Sequence, residues 1–184
     1  MHFFAFFRIP QRYNYHRSFY YYQKEKVFYM QEITIDLIQP FMLATVETFQ
    51  KMLGTNPIAQ QYTLNKGAGI GNDISGVIGL TGDLLGSVSI SFPEETALKA
   101  LTAFIGIPIT TLDHDSMDAV GELVNIIGGY AKKFIEDYKT VISLPTVIKG
   151  KGLEVKEPAD VFSFRIPFKS TLGDFDLSVG LKKV

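Results

Sequence analysis

The segment from Asp115 to Tyr138 constrains the fold most, because its apolar residues recur at the three- and four-residue spacing of one helix face. We expect this helix to begin near Asp115 or Ser116, either of which can cap its first turn. The apolar face consists of Met117, Val120, Val124, Ile127, Ala131, Phe134 and Tyr138. The pattern therefore predicts a long helix that is buried along one side.

Two polar residues lie on the opposite side of this helix. Glu122 and Asn125 are three residues apart, so their side chains are neighbours on the outer surface. Glycine in a helix interior costs about 1 kcal/mol relative to alanine, yet the helix contains Gly121, Gly128 and Gly129. Close approach of another surface is one physical reason to tolerate glycine there.

Two interpretations of Glu122 and Asn125 are open at this point. Most Glu and Asn side chains are simply solvated on exposed surfaces. Asn125, however, is a middling helix former in mid-helix with no capping role. Ile126 and Gly129 lie beside the pair, and an apolar side chain left in the open favours a contact surface for a partner.

The remaining pattern predicts two more helices and several strands. The first helix covers Ile33–Leu53 and ends at Gly54, and the second runs from Pro93 through Phe104 to a stop at Gly106. The strands are Gln61–Lys66, Ile74–Leu80, Leu84–Phe92, Thr146–Lys149, Leu153–Lys156, Val161–Phe168 and Phe175–Leu181. The strand Leu84–Phe92 alternates as if it were buried on one face only. Paired strands with helices between them predict an α+β domain with an antiparallel sheet.

Composition narrows the class of protein. A length of 184 residues suits one domain, or one domain with a tail, and a net charge of −1 gives no reason to expect nucleic acid as a partner. Cysteine is absent, which excludes disulfides and thiol catalysis and suits a reducing cytoplasm. No apolar run reaches the roughly 18 residues that a membrane span needs.

Other kinds of site find little support. The segment Gly67–Gly71 matches no phosphate-binding motif and precedes a strand, so it predicts a hairpin connection. The histidines, His2, His16 and His114, show no metal-ligand spacing. We expect the acidic residues around His114 to stabilise the positive end of a helix. No nucleophile elbow accompanies His114, which argues against acyl-transfer catalysis.

Residues 1–30 differ from the rest of the chain. They contain six Phe and six Tyr, half of the 24 aromatic residues, and five basic residues against one acidic residue. We expect this aromatic and basic N-terminal extension to lie outside the domain, which then covers residues 31–184. A membrane-surface or partner-binding arm, and a translation start at Met30, remain alternatives.

Six short segments together resemble the CheX branch of the CheC/CheX/FliY chemotaxis phosphatases. They are Val77–Gly82, Gly86–Phe92, Glu95–Lys99, Gly121–Asn125, Leu144–Val147 and Asp174–Val179. A Glu-x-x-Asn motif alone carries little information, but its place among these segments is specific. The resemblance implies a CheC-like domain that hydrolyses the phospho-aspartate of a CheY-type response regulator.

The resemblance also implies roles for individual residues. Asn125 is implied to orient the attacking water, and Glu122 to dock on the regulator's active-site lysine. The chain is expected to bind no cofactor, because the Mg²⁺ belongs to the regulator, and the CheX branch implies a homodimer joined at sheet edges. A second such motif, found on the first helix of some relatives, is replaced here by Glu47–Gln50, which we expect to be inert.

Two alternatives to a cytoplasmic phosphatase stay open. A non-catalytic CheX-like module would bind a response regulator or motor component without hydrolysis. An adaptor that uses the aromatic and basic extension would bind a membrane surface.

Overall fold

In the part of the chain that the structure describes, eight strands form one antiparallel sheet and three helices pack against it. The computed structural model describes residues 35–65, 72–150, 161 and 163–184. The helices are α1 (Ile35–Met52), α2 (Glu94–Ile105) and α3 (His114–Lys132). The strands are β1 (Ile58–Ala59), β2 (Thr63–Asn65), β3 (Ile74–Gly82), β4 (Leu84–Phe92), β5 (Thr140–Ile142), β6 (Thr146–Lys149), β7 (Ser163–Lys169) and β8 (Phe175–Lys183). The predicted α+β fold with an antiparallel sheet and three main helices is confirmed.

Several predicted features lie outside the described residues. They are the N-terminal extension with the proposed boundary between residues 30 and 31, the start of the first helix at Ile33, the Gly67–Gly71 connection and the strand Leu153–Lys156.

The sheet has the order β1-β7-β8-β4-β3-β5, with β2 also paired to β7 and β6 also paired to β3. Its centre is the hairpin of β3 and β4, in which Ile78 pairs with Val88 and Gly76 with Ile90. Strand β8 pairs along the other side of β4. Because β4 and β8 are far apart in the sequence, their pairing brings the middle of the chain together with its C-terminal strand.

One face of the sheet forms the core with the helices. Ile74, Ile78 and Leu80 of β3 are fully buried, as are Val88 and Ile90 of β4. Because side chains alternate along a strand, these residues share the face that packs on α3. Continuous apolar burial of this kind is the main favourable term in folding.

An aromatic cluster joins α1 to the sheet. Phe49 of α1 stacks on Phe175 of β8 with ring centroids 4.5 Å apart, and Phe168 of β7 stacks on the same ring at 5.1 Å. Phe92 of β4 lies 5.4 Å from Phe175. Offset aromatic pairs at these distances add to the hydrophobic term, so the cluster fixes α1 over three neighbouring strands.

Helix α3 packs unusually close to β3, because glycine lies at the contact on both elements. A Cβ added to Gly76 of β3 would be 3.0 Å from Val124 and 3.1 Å from the carbonyl oxygen of Val120. A Cβ added to Gly128 of α3 would be 2.5 Å from the end of Ile78. Gly128 is therefore explained by packing inside the domain.

The two ends of α3 differ from the sequence prediction. The cap is Asp113, whose carboxylate accepts the Ser116 N–H at 3.0 Å, so neither Asp115 nor Ser116 is the cap. The helix ends at Lys132, where the N–H of Phe134 bonds to the carbonyl of Ala131.

This tighter last turn changes which side chains continue the buried face. Ile135 is buried, whereas Phe134 lies outside the helix and is 36% exposed. Tyr138 also lies outside the helix, although it packs against the core. The helix periodicity predicted the buried face as far as Ala131 and was wrong for Phe134. For Tyr138 the predicted packing against the core is confirmed, but its predicted place within the helix is wrong.

Strand β4 also differs from prediction, because Val88 to Phe92 are buried on both faces. Ser91 on the second face accepts a hydrogen bond from the Ser75 hydroxyl at 2.9 Å, and Asn72 donates to the Ser91 carbonyl. Small polar side chains that bond to each other tolerate burial at low cost. The predicted half-buried alternation is therefore wrong for this part of the strand.

Two neighbouring glycines of α3 give a matched stability test. Gly128→Ala places a methyl group against Ile78 and should lower the free energy of unfolding by about 1–3 kcal/mol, as overpacking does. Gly129→Ala meets no atom within 4 Å and should raise it by about 0.5–1 kcal/mol, because alanine favours a helix. Urea denaturation of both variants measures the difference. Equal effects of the two changes would contradict the close packing of α3 on β3.

The Asp113 cap should make stability depend on acid pH. The hydrogen bond from Ser116 lowers the pKa of Asp113 below its ordinary 3.8. The native state therefore binds this proton less tightly than the unfolded chain. The cap's stabilisation should be complete above the ordinary pKa and vanish as pH falls through the lowered one.

Denaturation of the wild type and of Asp113→Ala at pH 7, 5 and 3 tests this dependence. We expect the wild type to be more stable at pH 7 and 5 and the two curves to converge towards pH 3. Asp115→Ala, which removes an exposed acid from the same turn but no cap, is the control. An advantage that stayed constant down to pH 3 would show that the carboxylate does not act as the cap.

Candidate functional site

Glu122 and Asn125 lie on the exposed surface of α3, as the sequence predicts. The residues between them, Leu123 and Val124, are buried, and so is Gly121 on the other side of Glu122. Within the part of the chain that the structure describes, neither polar side chain makes a hydrogen bond or an ion pair. The carboxylate and the carboxamide are thus available to groups outside the domain.

The helix beneath the pair is held on several sides. Besides its contact with β3, it packs against α1, and β6 lies along another side. A Cβ on Gly121 would be 3.3 Å from Val147 of β6 and 3.5 Å from Pro145. Because Gly121 directly precedes Glu122, the site starts from a turn that is fixed by packing.

The connection between β5 and β6 packs along one side of α3. Ile142, at the end of β5, lies 3.3 Å from where a Gly128 Cβ would be, and Pro145 lies at Gly121. The two residues between them therefore pass the helix turn that carries Asn125. One of these is Leu144, whose side chain is 88% exposed. Leu144 begins the segment Leu144–Val147 of the family resemblance, but the sequence pattern implies no role for it, because only long-range pairing places it here.

Ile126 and Gly129 occupy different environments. Ile126 is half-buried, so it is less exposed than the sequence pattern suggested. Gly129 is exposed, and an added Cβ would meet nothing within 4 Å. The three glycines of α3 therefore have separate explanations. Gly121 and Gly128 allow close packing inside the domain, and Gly129 alone is unexplained by it.

The motif on α1 is already engaged within the domain. The Glu47 carboxylate accepts a hydrogen bond from Lys51, which raises the pKa of that lysine. The Lys51 ammonium also lies 5.3 Å from the Tyr130 ring centroid. Gln50, the counterpart of Asn125, is exposed. The α1 motif therefore differs from that of α3 in two ways. Its amide belongs to the longer Gln50, and its Glu47 carboxylate is already bonded to Lys51.

A cleft of about 410 Å³ lies at the other end of α3, away from Glu122 and Asn125. Its lining residues are Lys132, Lys133, Ile135, Glu136, Tyr138, Lys139 and Thr140. The Glu–Asn pair lies on an open helix surface and not in this cleft. A small substrate is usually held in a concave pocket, so the open surface suits a macromolecule that brings its own binding groups.

Two features are absent from residues 35–65, 72–150, 161 and 163–184. No group of three or more His, Asp or Glu side chains is placed to hold a metal ion there. No helix in those ranges is both long and apolar enough to cross a membrane.

Comparison with known proteins identifies the family. The profile described as chemotaxis phosphatase CheX matches residues 74–169. The CheY-P phosphatase CheX of Thermotoga maritima is 30% identical over 149 residues, which cover 79% of this chain and 96% of that protein.

Solved structures agree with this match. A chemotaxis protein CheX from Desulfovibrio desulfuricans is 30% identical with a TM-score of 0.72, over 81% of this chain and 99% of that one. The CheX chain of a CheX–CheY–BeF3–Mg complex from Borrelia burgdorferi has a TM-score of 0.69 over 82% of this chain and 100% of that one. At 22% identity it supports the fold alone. The resemblance seen in the sequence is confirmed, and the chain belongs to the chemotaxis phosphatase CheX family.

Proposed function

We propose that this protein is a phosphatase that hydrolyses the phospho-aspartate of a CheY-type response regulator. The observation that carries the proposal is the Glu122 and Asn125 pair on the open face of α3, which has no hydrogen-bond or ion-pair partner among the described residues. The Thermotoga maritima relative, whose name states that it acts on CheY-P, supports the substrate class. Such a substrate requires the protein to work in the cytoplasm.

Asn125 is proposed to orient the attacking water. An acyl phosphate is already activated, so hydrolysis chiefly needs a water held in line with the phosphorus and stable surrounding charges. A carboxamide both accepts and donates hydrogen bonds, so it can fix a water without removing its proton. The exposed Asn125 side chain has no partner among the described residues, so both of its functional atoms are free for this role.

Glu122 is proposed to dock on the lysine of the regulator's active site. A carboxylate–ammonium hydrogen bond is among the stronger polar contacts and fixes one point of the interface. Glu122 and Asn125 are three positions apart on one rigid helix, so this contact also sets where the amide arrives. The Mg²⁺ that the reaction needs is proposed to be bound by the regulator.

Ile126 and Gly129 are proposed to contact the same partner. A side chain at residue 129 would extend into open space, so internal packing does not require glycine there. Without a side chain, Gly129 allows a partner to approach the helix backbone more closely. A partner that lies against this turn would account for it. Ile126, which is half-buried beside the pair, offers an apolar contact at the edge of the same surface.

Substitution of each residue separates chemistry from docking. Asn125→Ala should lower kcat for phosphate release from a phosphorylated CheY-type regulator by about 100-fold, since water positioning is lost. Glu122→Ala should mainly raise KM, by about tenfold or more, since it removes a charged contact. Gln50→Ala, at the corresponding position of α1, is the matched control and should change neither constant.

The outcomes distinguish the alternatives. Hydrolysis by Asn125→Ala as fast as by the wild type would make the assignment of Asn125 wrong. A wild type that binds the regulator but releases no phosphate would support the non-catalytic module instead. A Gln50→Ala variant as impaired as Asn125→Ala would place a second site on α1.

We also propose that the protein forms a homodimer through a sheet edge. Strand β5, at one end of the sheet order, leaves backbone groups unpaired on its outer side within the described residues, which is where another strand can add. Light scattering on the purified protein should give twice the chain mass of 20.6 kDa. A mass of one chain at micromolar concentration would contradict the dimer.

A further inference from the structure

We propose that Leu144 is an apolar docking residue that fixes how the phosphorylated regulator lies across α3. The inference rests on the proposed function and adds a contact outside the Glu–Asn pair. It follows from the position of the β5–β6 connection, from the exposure of Leu144, and from the hydrogen bonds and packing that hold Ser143 and Pro145 on either side of it.

The connection places Leu144 at the level of Asn125. Ile142 packs against the Gly128 turn, and Pro145 packs against the Gly121 turn. Asn125 lies midway between these two glycines along α3. The chain from Ile142 to Pro145 runs from one turn to the other, so Leu144 flanks the turn that carries the amide.

The backbone that carries Leu144 is held on both sides. The Ser143 N–H donates to the Gly79 carbonyl at 2.9 Å, and the Gly79 N–H donates to the Ser143 hydroxyl at 2.9 Å. The same hydroxyl donates to the Leu144 carbonyl at 2.8 Å, and Pro145 is packed against α3. A side chain displayed by a fixed backbone costs little ordering entropy when a partner covers it. Its exposure is therefore a property of a fixed segment of the domain.

The occupant that fits this position is the regulator itself. An Asn side chain is short, so a water bonded to it at about 3 Å stays close to the helix surface. A protein that brings a phosphoryl group to that water must lie against α3 and thus against the residue that flanks Asn125. Leu144 is 88% exposed, so a partner that covers it removes apolar surface from water, which favours binding.

Val141 provides a matched control three residues earlier. It is 66% exposed and pairs with Thr81 across β3. Its neighbour Ile142 points to α3, so Val141 points to the opposite face of the sheet. Truncation of Val141 removes a comparable exposed apolar side chain and leaves the surface beside Asn125 unchanged. It also keeps the backbone groups through which β5 would pair with a strand of a second chain.

The experiment measures binding separately from hydrolysis. A CheY-type regulator loaded with Mg²⁺ and beryllium fluoride, a stable mimic of the phosphorylated state, is titrated with the wild type, Leu144→Ala, Leu144→Asp and Val141→Ala. We expect Leu144→Ala to raise Kd about tenfold, as loss of an apolar anchor does. Leu144→Asp should raise it further, and Val141→Ala should not change it. With the phosphorylated regulator, Leu144→Ala should raise KM and leave kcat within about twofold.

Each outcome decides a defined point. Equal Kd values for the wild type and Leu144→Ala would overturn the docking role and leave the phosphatase proposal intact. Tight binding of the wild type without phosphate release would overturn the phosphatase, while a weaker Leu144→Ala would still support docking. A wild type that neither binds nor hydrolyses would overturn both.

Two further measurements exclude indirect effects. Thermal unfolding should be the same for all four proteins, because the substituted side chains are exposed. Light scattering should give them the same mass. If the Leu144 variants alone changed mass, the occupant of this surface would be a second copy of the chain, and the proposal would be wrong.

Discussion

The close contact between α3 and β3 is the constraint on which the rest of the structure depends. Gly76 of β3 and Gly128 of α3 remove side chains where the two elements meet, so the helix lies within backbone contact distance of the sheet. Protein interiors are packed as densely as organic crystals, and such a contact leaves the helix little freedom to roll. The outer face of α3 is therefore held in one orientation, with Glu122 and Asn125 displayed to solvent.

A rigid but incomplete site suits chemistry that is shared between two proteins. This chain offers a carboxylate and a carboxamide on an open surface and an exposed leucine in the proposed docking region. The acyl phosphate, the metal ion and the lysine are proposed to belong to the substrate. Preorganisation matters here because misplacement of the amide by 1 Å can cost about 100-fold in rate. The packing of Gly121 against Pro145 and Val147 provides that preorganisation directly beside Glu122.

Helices α1 and α3 carry similar motifs, Glu47–Gln50 and Glu122–Asn125. Neighbouring side chains decide whether the polar groups of each motif can bind a partner. Glu47 of α1 bonds to Lys51, and that lysine also lies over the Tyr130 ring of α3. Glu122 and Asn125 have no such neighbours among the described residues. Similar spacing therefore produces a surface ion pair on one helix and an unoccupied polar pair on the other.

The sequence pattern predicted the helices and the long strands. Hydrophobic periodicity, and the glycine and proline residues that end helices and strands, are signals that extend over only a few residues. It missed β5, whose three residues form a strand only through their pairing with β3. It also extended the buried face of α3 past Lys132, since the tightening of the last turn depends on how the chain leaves the helix. The second buried face of β4 was missed for a related reason, because Ser75 and Ser91 satisfy each other only across the hairpin.

By itself, the sequence determined which residues share a face of α3, because helix geometry is local. It also determined the family to which the domain belongs, because the order of the motifs is read directly along the chain. Only the tertiary structure decided which glycines serve internal packing, and it left Gly129 as the one open to a partner. It alone placed the β5–β6 connection, which carries Leu144, along α3 between Gly121 and Gly128, because that packing arises from the pairing of β5 and β6 with β3, more than 60 residues away. Such pairing is decided by the free energy of the whole domain and leaves no local signal in the chain.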